Sequence, residues 1–223
     1  MTTLDWEEES CLICGKVNKC PKIASTISLG GPDLDTRPAQ MVRSNIRYIM
    51  QRCPSCGYCA PRLSEGPRRI KEIVQSEAYR QQISQETYPE LAKSFLCWAI
   101  IQEAVGGYSD AGWAAVRAAW VCDDAKAVEP YRLCRIRAIQ LLRRSKAAGK
   151  AFAEGAGLEE AILADLLRRS GQFDQAEAAC QEGLKKNPEA VIQQILALQI
   201  ALAKRQDASC HRVDEATTPA QNQ

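Results

Sequence analysis

Two matching cysteine pairs, one near residue 11 and one near residue 53, constrain this chain more than any other feature. Each pair has the form Cys-x2-Cys-Gly, in which the first cysteine begins a tight turn and Gly15 or Gly57 closes it in the left-handed conformation. Because both sulfurs of a pair point at one position, two pairs predict a tetrahedral site of the closed structural kind that holds Zn²⁺. The predicted ligands are Cys11, Cys14, Cys53 and Cys56.

The energetics favour a head that is organised by the metal. Closing the chain between the two pairs costs about 3 kcal/mol of entropy, whereas structural zinc contributes roughly 10 to 16 kcal/mol. We therefore expect residues 1–65 to form a zinc-ribbon-like head without needing a large core. Its strands are expected over Ile23–Leu29 and Ser44–Met50, which have β-branched or aromatic residues and partial alternation. Residues 1–10 are interpreted as a solvated acidic lead.

Two further cysteines, Cys20 and Cys59, flank the pairs. They are either spare thiols or extra or exchanged metal ligands. Together with Cys59, the second pair matches part of the cysteine spacing of an iron–sulfur cluster site. The fourth cysteine of that motif is missing, because Leu63 occupies its position. A binuclear zinc cluster of six cysteines requires a spacing that this chain lacks. The roles of Cys210 and His211 toward a metal are left open in the same way.

Composition describes an ordinary soluble protein, with 46% apolar and 25% charged residues and a formal net charge of +2. The first ten residues are acidic where a secretory signal is basic and then apolar, and no run approaches the ~18 apolar residues of a membrane span. The 11 cysteines are odd in number and have metal-binding spacings, so we expect reduced thiols. These observations favour a cytoplasmic protein that does not contact a membrane.

Beyond the head the sequence becomes helical, and we expect a mainly α protein in which an antiparallel helical array follows the small β head. The expected regions are residues 1–65 as the head, 66–88 as a helical connector, 89–206 as the array and 207–223 as a polar tail. Two windows of the array place a small residue seven positions before a glycine that opens Gly-x-aromatic-x-x-Ala. The matching positions are Ala99 and Ala164, Gly106 and Gly171, and Tyr108 and Phe173.

This pattern resembles the tetratricopeptide repeat, in which small residues let paired helices approach and the glycine makes the turn between them. The two windows lie about two 34-residue periods apart, so a degenerate unit is expected between them. Residues 126–156 can supply that unit, or they can form one long irregular helix, because they lack the glycine-aromatic turn.

Residues with catalytic potential are few. Asp33 and Asp35 can hold a metal or serve as an acid and base, but on a loop without histidine they are more typical of turns, with Arg37 neutralising them. His211 is the only histidine, so no Cys-His or Ser-His pair can be built from the body of the chain. The chain also lacks a Walker or dinucleotide-binding glycine loop. These absences argue against an enzyme.

The stretch of residues 130–153 carries basic side chains and no acid. On a helical wheel one arc collects Arg132, Arg135, Arg143 and Lys146, while Arg137 and Arg144 fall outside it. The arc is either a solvated helix face or a site for an anionic partner or nucleic acid. Whole-chain charge does not favour nucleic acid.

Together with the loop Gly31–Pro38 and the segment Cys53–Tyr58, these features resemble an uncharacterised prokaryotic family that joins a zinc-ribbon-like head to a tetratricopeptide-like tail. The resemblance implies an architecture rather than an activity. We expect a non-enzymatic zinc-binding interaction or scaffold protein whose helical groove receives a protein or peptide. The alternative is a nucleic-acid-associated regulator that uses the ribbon and the basic helix 131–146. A third hypothesis is a hydrolase or redox enzyme working through Asp33, Asp35 or exposed cysteines.

Overall fold

The computed structural model of the chain describes residues 2–217. Most of these residues are helical, and two small antiparallel strand pairs lie near the N-terminus, which confirms the predicted fold class. The chain forms two compact units. The first comprises the chain up to Ser28 together with Met41–Ala148, and the second comprises Leu29–Gln40 and the chain from Gly149 onward.

This division does not coincide with the expected boundaries after residues 65, 88 and 206. The loop Leu29–Gln40, expected in the head, belongs to the same unit as the C-terminal helices. The helices that follow the head, as far as Ala148, belong to the same unit as the metal site.

The N-terminal segment, expected as a solvated acidic lead, forms a strand, although most of its side chains are at least partly exposed to solvent. Strand β1 (Thr2–Ser10) pairs antiparallel with β2 (Val17–Thr26), and the first cysteine pair forms the turn between them. Opposite charges face each other across the ladder, and Lys22 Nζ lies 2.8 Å from Glu7 Oε1. Such cross-strand pairs stabilise a ribbon whose residues are mostly solvent-exposed.

The expected strand over Ser44–Met50 is wrong, because this segment is helical. Helix α1 (Gln40–Arg43) runs into a 3-10 helix over Ser44–Tyr48. Buried Asn45 explains this local structure, since its side chain bonds to both strands of the ribbon: Oδ1 accepts from Thr2 Oγ1 at 3.0 Å and Nδ2 donates to Thr26 Oγ1 at 3.0 Å. The strand pair around the second cysteine pair is shorter, with β3 (Gln51–Arg52) against β4 (Cys59–Ala60).

The helices of the first unit follow the strands in order. They are α2 (Ile70–Val74), α3 (Glu77–Ser84), α4 (Glu90–Ala104), α5 (Tyr108–Asp124) and α6 (Val128–Ala147). Short connections make α4, α5 and α6 antiparallel neighbours. Buried alanines on α5, such as Ala114 and Ala118, allow these helices to approach closely. At Gly112 an added Cβ would lie 2.5 Å from Leu142 Cδ2, so only glycine fits this contact with α6.

The second unit contains the remaining helices. They are α7 (Leu158–Arg169), α8 (Phe173–Leu184), α9 (Ala190–Lys204) and α10 (Val213–Thr217). The loop Leu29–Gln40 is part of this unit's core, because the buried side chain of Leu34 packs with Ala164 and Leu196. Backbone hydrogen bonds hold the loop to the segment before α10, from Leu34 N to His211 O and from Val213 N to Pro32 O, both at 3.0 Å.

Within the expected polar tail, Val213–Thr217 form α10, and residues 218–223 lie outside the described part of the chain. The two helical windows have the expected local features: Ala99 and Ala164 are buried, and the next helices begin at Tyr108 and Phe173. Between the windows the chain forms one long helix, α6, and not a second helical pair. Within residues 2–217, no helix combines the length and apolar character that a bilayer crossing requires.

Candidate metal centre

The four sulfurs of the two Cys-x2-Cys-Gly pairs converge on one point. The Sγ atoms all lie within 4.8 Å of one another, and two separations between the pairs are 3.6 Å for Cys11–Cys56 and 3.7 Å for Cys14–Cys53. Among the described residues this is the group of cysteine, histidine or acidic side chains that can hold a metal ion. The predicted set of four cysteines therefore has the geometry of a metal site.

Each cysteine pair is built by the same local hydrogen bonds. Gly15 N donates to Cys11 O at 2.8 Å, and Gly57 N donates to Cys53 O at 2.9 Å. The two glycines have φ values of 73° and 76°, a backbone conformation that a side chain would strain. The sequence Cys-x2-Cys-Gly therefore specifies each turn locally, before the two pairs meet.

Glu9 helps to bring the two turns together. It is almost fully buried, and its Oε2 accepts hydrogen bonds from Leu63 N at 2.6 Å and Ser64 N at 3.3 Å. Leu12 N, inside the first cysteine pair, donates to Leu63 O at 2.8 Å. The chain after the second pair is thus fastened to β1 and to the first pair, which fixes the relative positions of the sulfurs.

Tyr79 of α3 stabilises the second cysteine pair through hydrogen bonds to the backbone that follows it. Its hydroxyl accepts a hydrogen bond from Cys59 N and donates one to Gly57 O, both at 3.0 Å. The residue is 2% exposed, so these bonds lie away from water. A helix of the first unit therefore holds the turn that presents Cys53 and Cys56.

The pKa values of Cys11, Cys53 and Cys56 are shifted in different directions. Burial acts to raise the pKa of Cys53, but backbone N–H groups of Cys56 and Ser55 and the neighbouring thiols outweigh it and lower the pKa to about 7. Burial raises the pKa of Cys56 and of Cys11. Since a thiolate is the form that binds a metal, metal binding must release protons from this cluster, and metal affinity is expected to fall as the pH is lowered.

The two flanking cysteines lie outside the cluster of four. Cys20 is buried on β2, and this burial raises its pKa. Cys59 is fully buried, and its Sγ donates to Gly57 O at 3.3 Å. The neighbouring thiol of Cys97 on α4 lowers the pKa of Cys59, and Cys59 together with burial raises the pKa of Cys97. Both positions match the spare-thiol interpretation better than that of an extra ligand.

The two loop carboxylates are buried parts of the second unit, with Asp33 1% exposed and Asp35 fully buried. Asp35 Oδ1 accepts from Arg37 N at 3.2 Å, and its Oδ2 lies 3.3 Å from Arg169 Nη1 on α7. Thr36 N donates to Asp33 O at 2.9 Å, which closes a turn. These contacts agree with the turn interpretation, and the partner that sequence reasoning missed is Arg169.

His211 is held by acidic groups on both sides of its ring. Nδ1 lies 2.7 Å from Glu215 Oε2, and Nε2 lies 3.0 Å from both Asp207 Oδ2 and Ser209 Oγ. A Ser-His contact thus does exist near the C-terminus, which sequence reasoning had not placed. With a carboxylate at each ring nitrogen, the ring fastens this segment to α10.

The basic residues predicted to share one arc of α6 do not form a single exposed surface. Arg135 has no exposed side chain, because its two Nη atoms bond both oxygens of Asp123 on α5 at 3.0 and 2.6 Å and its guanidinium lies over Tyr131. The helical wheel placed Arg135 correctly on the helix but could not show that α5 covers that face. The residues of the arc that are exposed are Arg132, Arg143 and Lys146.

A groove that sequence reasoning did not locate runs along α6. Its first part, with a volume of about 430 Å³, lies among α3, α4 and α6 and has Tyr88, Leu96, Ile100 and Leu133 among its lining residues. A second part of about 410 Å³ is lined by Glu103 of α4 and by arginines of α6.

Comparison of the chain with protein families, with curated proteins and with solved structures finds no match.

Proposed function

We propose that this protein is a non-enzymatic, zinc-binding interaction protein, in which a metal-organised head supports a helical groove that receives a protein or peptide. The observation that carries the proposal is the groove along α6, which lies in the same compact unit as the four-cysteine cluster. Apolar lining with a few polar groups is the usual character of a binding groove. The resemblance to zinc-ribbon and tetratricopeptide-like proteins points in the same direction.

Zinc is the proposed occupant of the cysteine cluster. Tetrahedral Zn²⁺ with Zn–S bonds of about 2.3 Å would place its sulfurs about 3.8 Å apart. The observed separations of 3.6 and 3.7 Å are close to that value. Four thiolates complete the coordination, so the metal would stabilise the fold and leave no position for substrate. A reducing compartment such as the cytoplasm suits a site of this kind.

The rival functions have weaker support. A nucleic-acid regulator was expected to use the basic arc of α6, but Arg135 is buried and bonded to Asp123. An enzyme using Asp33 and Asp35 would need access to two carboxylates that are almost completely buried. A salt-dependent electrophoretic mobility shift with mixed DNA or RNA would support the nucleic-acid regulator. Metal-dependent turnover of a substrate would support the enzyme.

Metal analysis tests the head. Purified full-length protein should carry about one Zn²⁺ per chain, and Cys56→Ser should release it. Cys59→Ser is the matched control, because Cys59 is a nearby buried cysteine outside the cluster. Full zinc retention in Cys56→Ser, loss of zinc in Cys59→Ser, or stoichiometric iron with visible absorbance would contradict the assignment.

Site-specific crosslinking in cells tests the groove. A photoreactive amino acid at Gln140, which lines both parts of the groove, should crosslink to a polypeptide. The same amino acid at Val128, an exposed residue at the start of α6 that does not line the groove, should not. Equal crosslinking at both positions, or none at Gln140, would argue against a binding role for this surface.

A further inference from the structure

The two parts of the groove adjoin each other along α6, because Arg137 and Gln140 line both. The first part carries apolar side chains and glutamine amides, and its only charged lining residue is Arg137. The second part is lined by Arg137, Arg143 and Arg144 against a single acid, Glu103. The groove therefore changes along α6 from an apolar end to a cationic end.

The arginines at the cationic end are held in place. Glu103 pairs with both Arg137 and Arg144, which joins α4 to α6. Arg144 also stacks over the ring of Tyr108 at 4.2 Å and donates to its hydroxyl at 3.0 Å. A guanidinium has five N–H donors, so an arginine that bonds one carboxylate can still grip a second one. Arginines held in this way lose little side-chain entropy on binding.

We propose that this groove binds a short extended peptide segment of a partner protein that carries an apolar side chain and, a few residues away, acidic side chains. The inference rests on the proposed function, which it narrows to one class of ligand. The apolar side chain would lie against Leu133, Leu96 and Ile100, and the carboxylates would meet the arginines. Charge complementarity decides for an acidic partner, because three cations face one acid at that end.

The dimensions of α6 set the length of the segment. Leu133 and Arg144 are separated by about 16 Å along the helix axis, at 1.5 Å per residue. An extended peptide rises about 3.3 Å per residue, so roughly five residues span this distance. The acidic side chains should therefore lie about three to five positions from the apolar one, in either direction of the chain.

A random nonapeptide library displayed on phage, panned against full-length metal-loaded protein, tests the inference. The enriched sequences should combine an aliphatic or aromatic residue with Asp or Glu at that spacing. The best sequence, made as a fluorescein-labelled peptide, should bind roughly tenfold more weakly when its acids are changed to amides, because each loses an ionic hydrogen bond. Its affinity should also fall with added salt.

Variants of the protein locate the site. Gln140→Glu adds a negative charge where the two parts of the groove meet, and Arg143→Gln removes a lining cation. Each substitution should weaken binding of the labelled peptide several-fold. Arg132→Gln is the matched control, because Arg132 is an exposed arginine of the same helix that does not line the groove. Circular dichroism of each variant verifies that the fold is kept.

The outcomes separate the inference from the proposed function. Enriched peptides that lack acids but are weakened by Gln140→Glu would overturn the acidic-ligand inference and leave a peptide-binding groove. Peptides that bind Gln140→Glu and Arg143→Gln as well as they bind the unmodified protein, or a library that yields no binding peptide, would overturn both. Equal weakening by Arg132→Gln would show a nonspecific effect of helix charge and would also overturn the inference.

Discussion

Replacing Tyr79 with phenylalanine removes one hydroxyl from behind the second cysteine pair and leaves the ring in place. That hydroxyl pairs with Cys59 N and Gly57 O, each at 3.0 Å, in a residue that is 2% exposed. Without it, the buried N–H of Cys59 loses its partner, whereas Gly57 O keeps a hydrogen bond from Cys59 Sγ at 3.3 Å. An unpaired buried group costs about 1–3 kcal/mol, so we expect the unfolding free energy to fall by about 1–3 kcal/mol.

Part of this loss should appear as weaker metal binding. Gly57 closes the turn that presents Cys53 and Cys56, so a looser turn holds the sulfurs less well in position. If about 1.4 kcal/mol of the loss falls on the metal-bound state, the zinc dissociation constant rises about tenfold. Tyr79 is not one of the cysteine ligands. The substitution therefore measures how much the hydrogen bonds around the site contribute to metal affinity, apart from coordination itself.

Urea unfolding followed by circular dichroism measures the stability, and competition with a chromogenic chelator measures the zinc affinity. Tyr88→Phe is the control, since Tyr88 is a partly buried tyrosine of the same unit, and its change should stay within about 0.5 kcal/mol. If Tyr79→Phe unfolds like the unmodified protein, the hydroxyl does not support the turn. If it is destabilised but binds zinc with unchanged affinity, the proposed link between α3 and the metal site is wrong.

Three further perturbations test other parts of the structure. Arg135→Gln should cost about 3–5 kcal/mol of unfolding free energy because it breaks a buried ion pair, whereas Arg132→Gln, on the exposed side, should change it by less than about 0.5 kcal/mol in the same urea titration. Hydrogen bonds from Ser209, then His211, lower the pKa of Asp207 from its usual 3.8, so its stabilisation should be lost as the pH falls below about 4, and Asp207→Asn should flatten this acid limb in pH-dependent unfolding. A fragment that begins at Pro89 lacks residues 29–40, so its C-terminal helices should melt earlier than in the full chain, and a synthetic 29–40 peptide should raise that melting temperature with concentration.

The four-cysteine cluster could be predicted because the information that specifies it is local. Four residues and a glycine specify each turn, and the hydrogen bond from Gly57 N to Cys53 O follows from that spacing alone. The helices after Pro89 were predictable for the same reason, since apolar periodicity and the glycine turns at Gly106 and Gly171 mark them within a few residues. Local turn chemistry and amphipathic periodicity need no knowledge of the distant chain.

Features that depend on distant partners were missed or misjudged. Strand β1 looks like an acidic solvated segment until β2 supplies its basic cross-strand neighbours. Arg135 looks like part of an exposed arc until Asp123 on the preceding helix is brought against it. The groove on α6 needs α3 and α4 as its other walls, so its position could not be obtained from the periodicity of α6 itself.

The loop Leu29–Gln40 makes such a distant contact within the second unit. Its Asp35 meets Arg169, a residue 134 positions away, although glycine and proline give the loop the composition of a surface turn. The two halves of the metal site flank this loop in sequence, so a metal that holds Cys14 and Cys53 together closes the chain on either side of it. A closed loop has fewer conformations to lose when it packs in the second unit. Metal binding in one unit would therefore also lower the entropic cost of completing the core of the other.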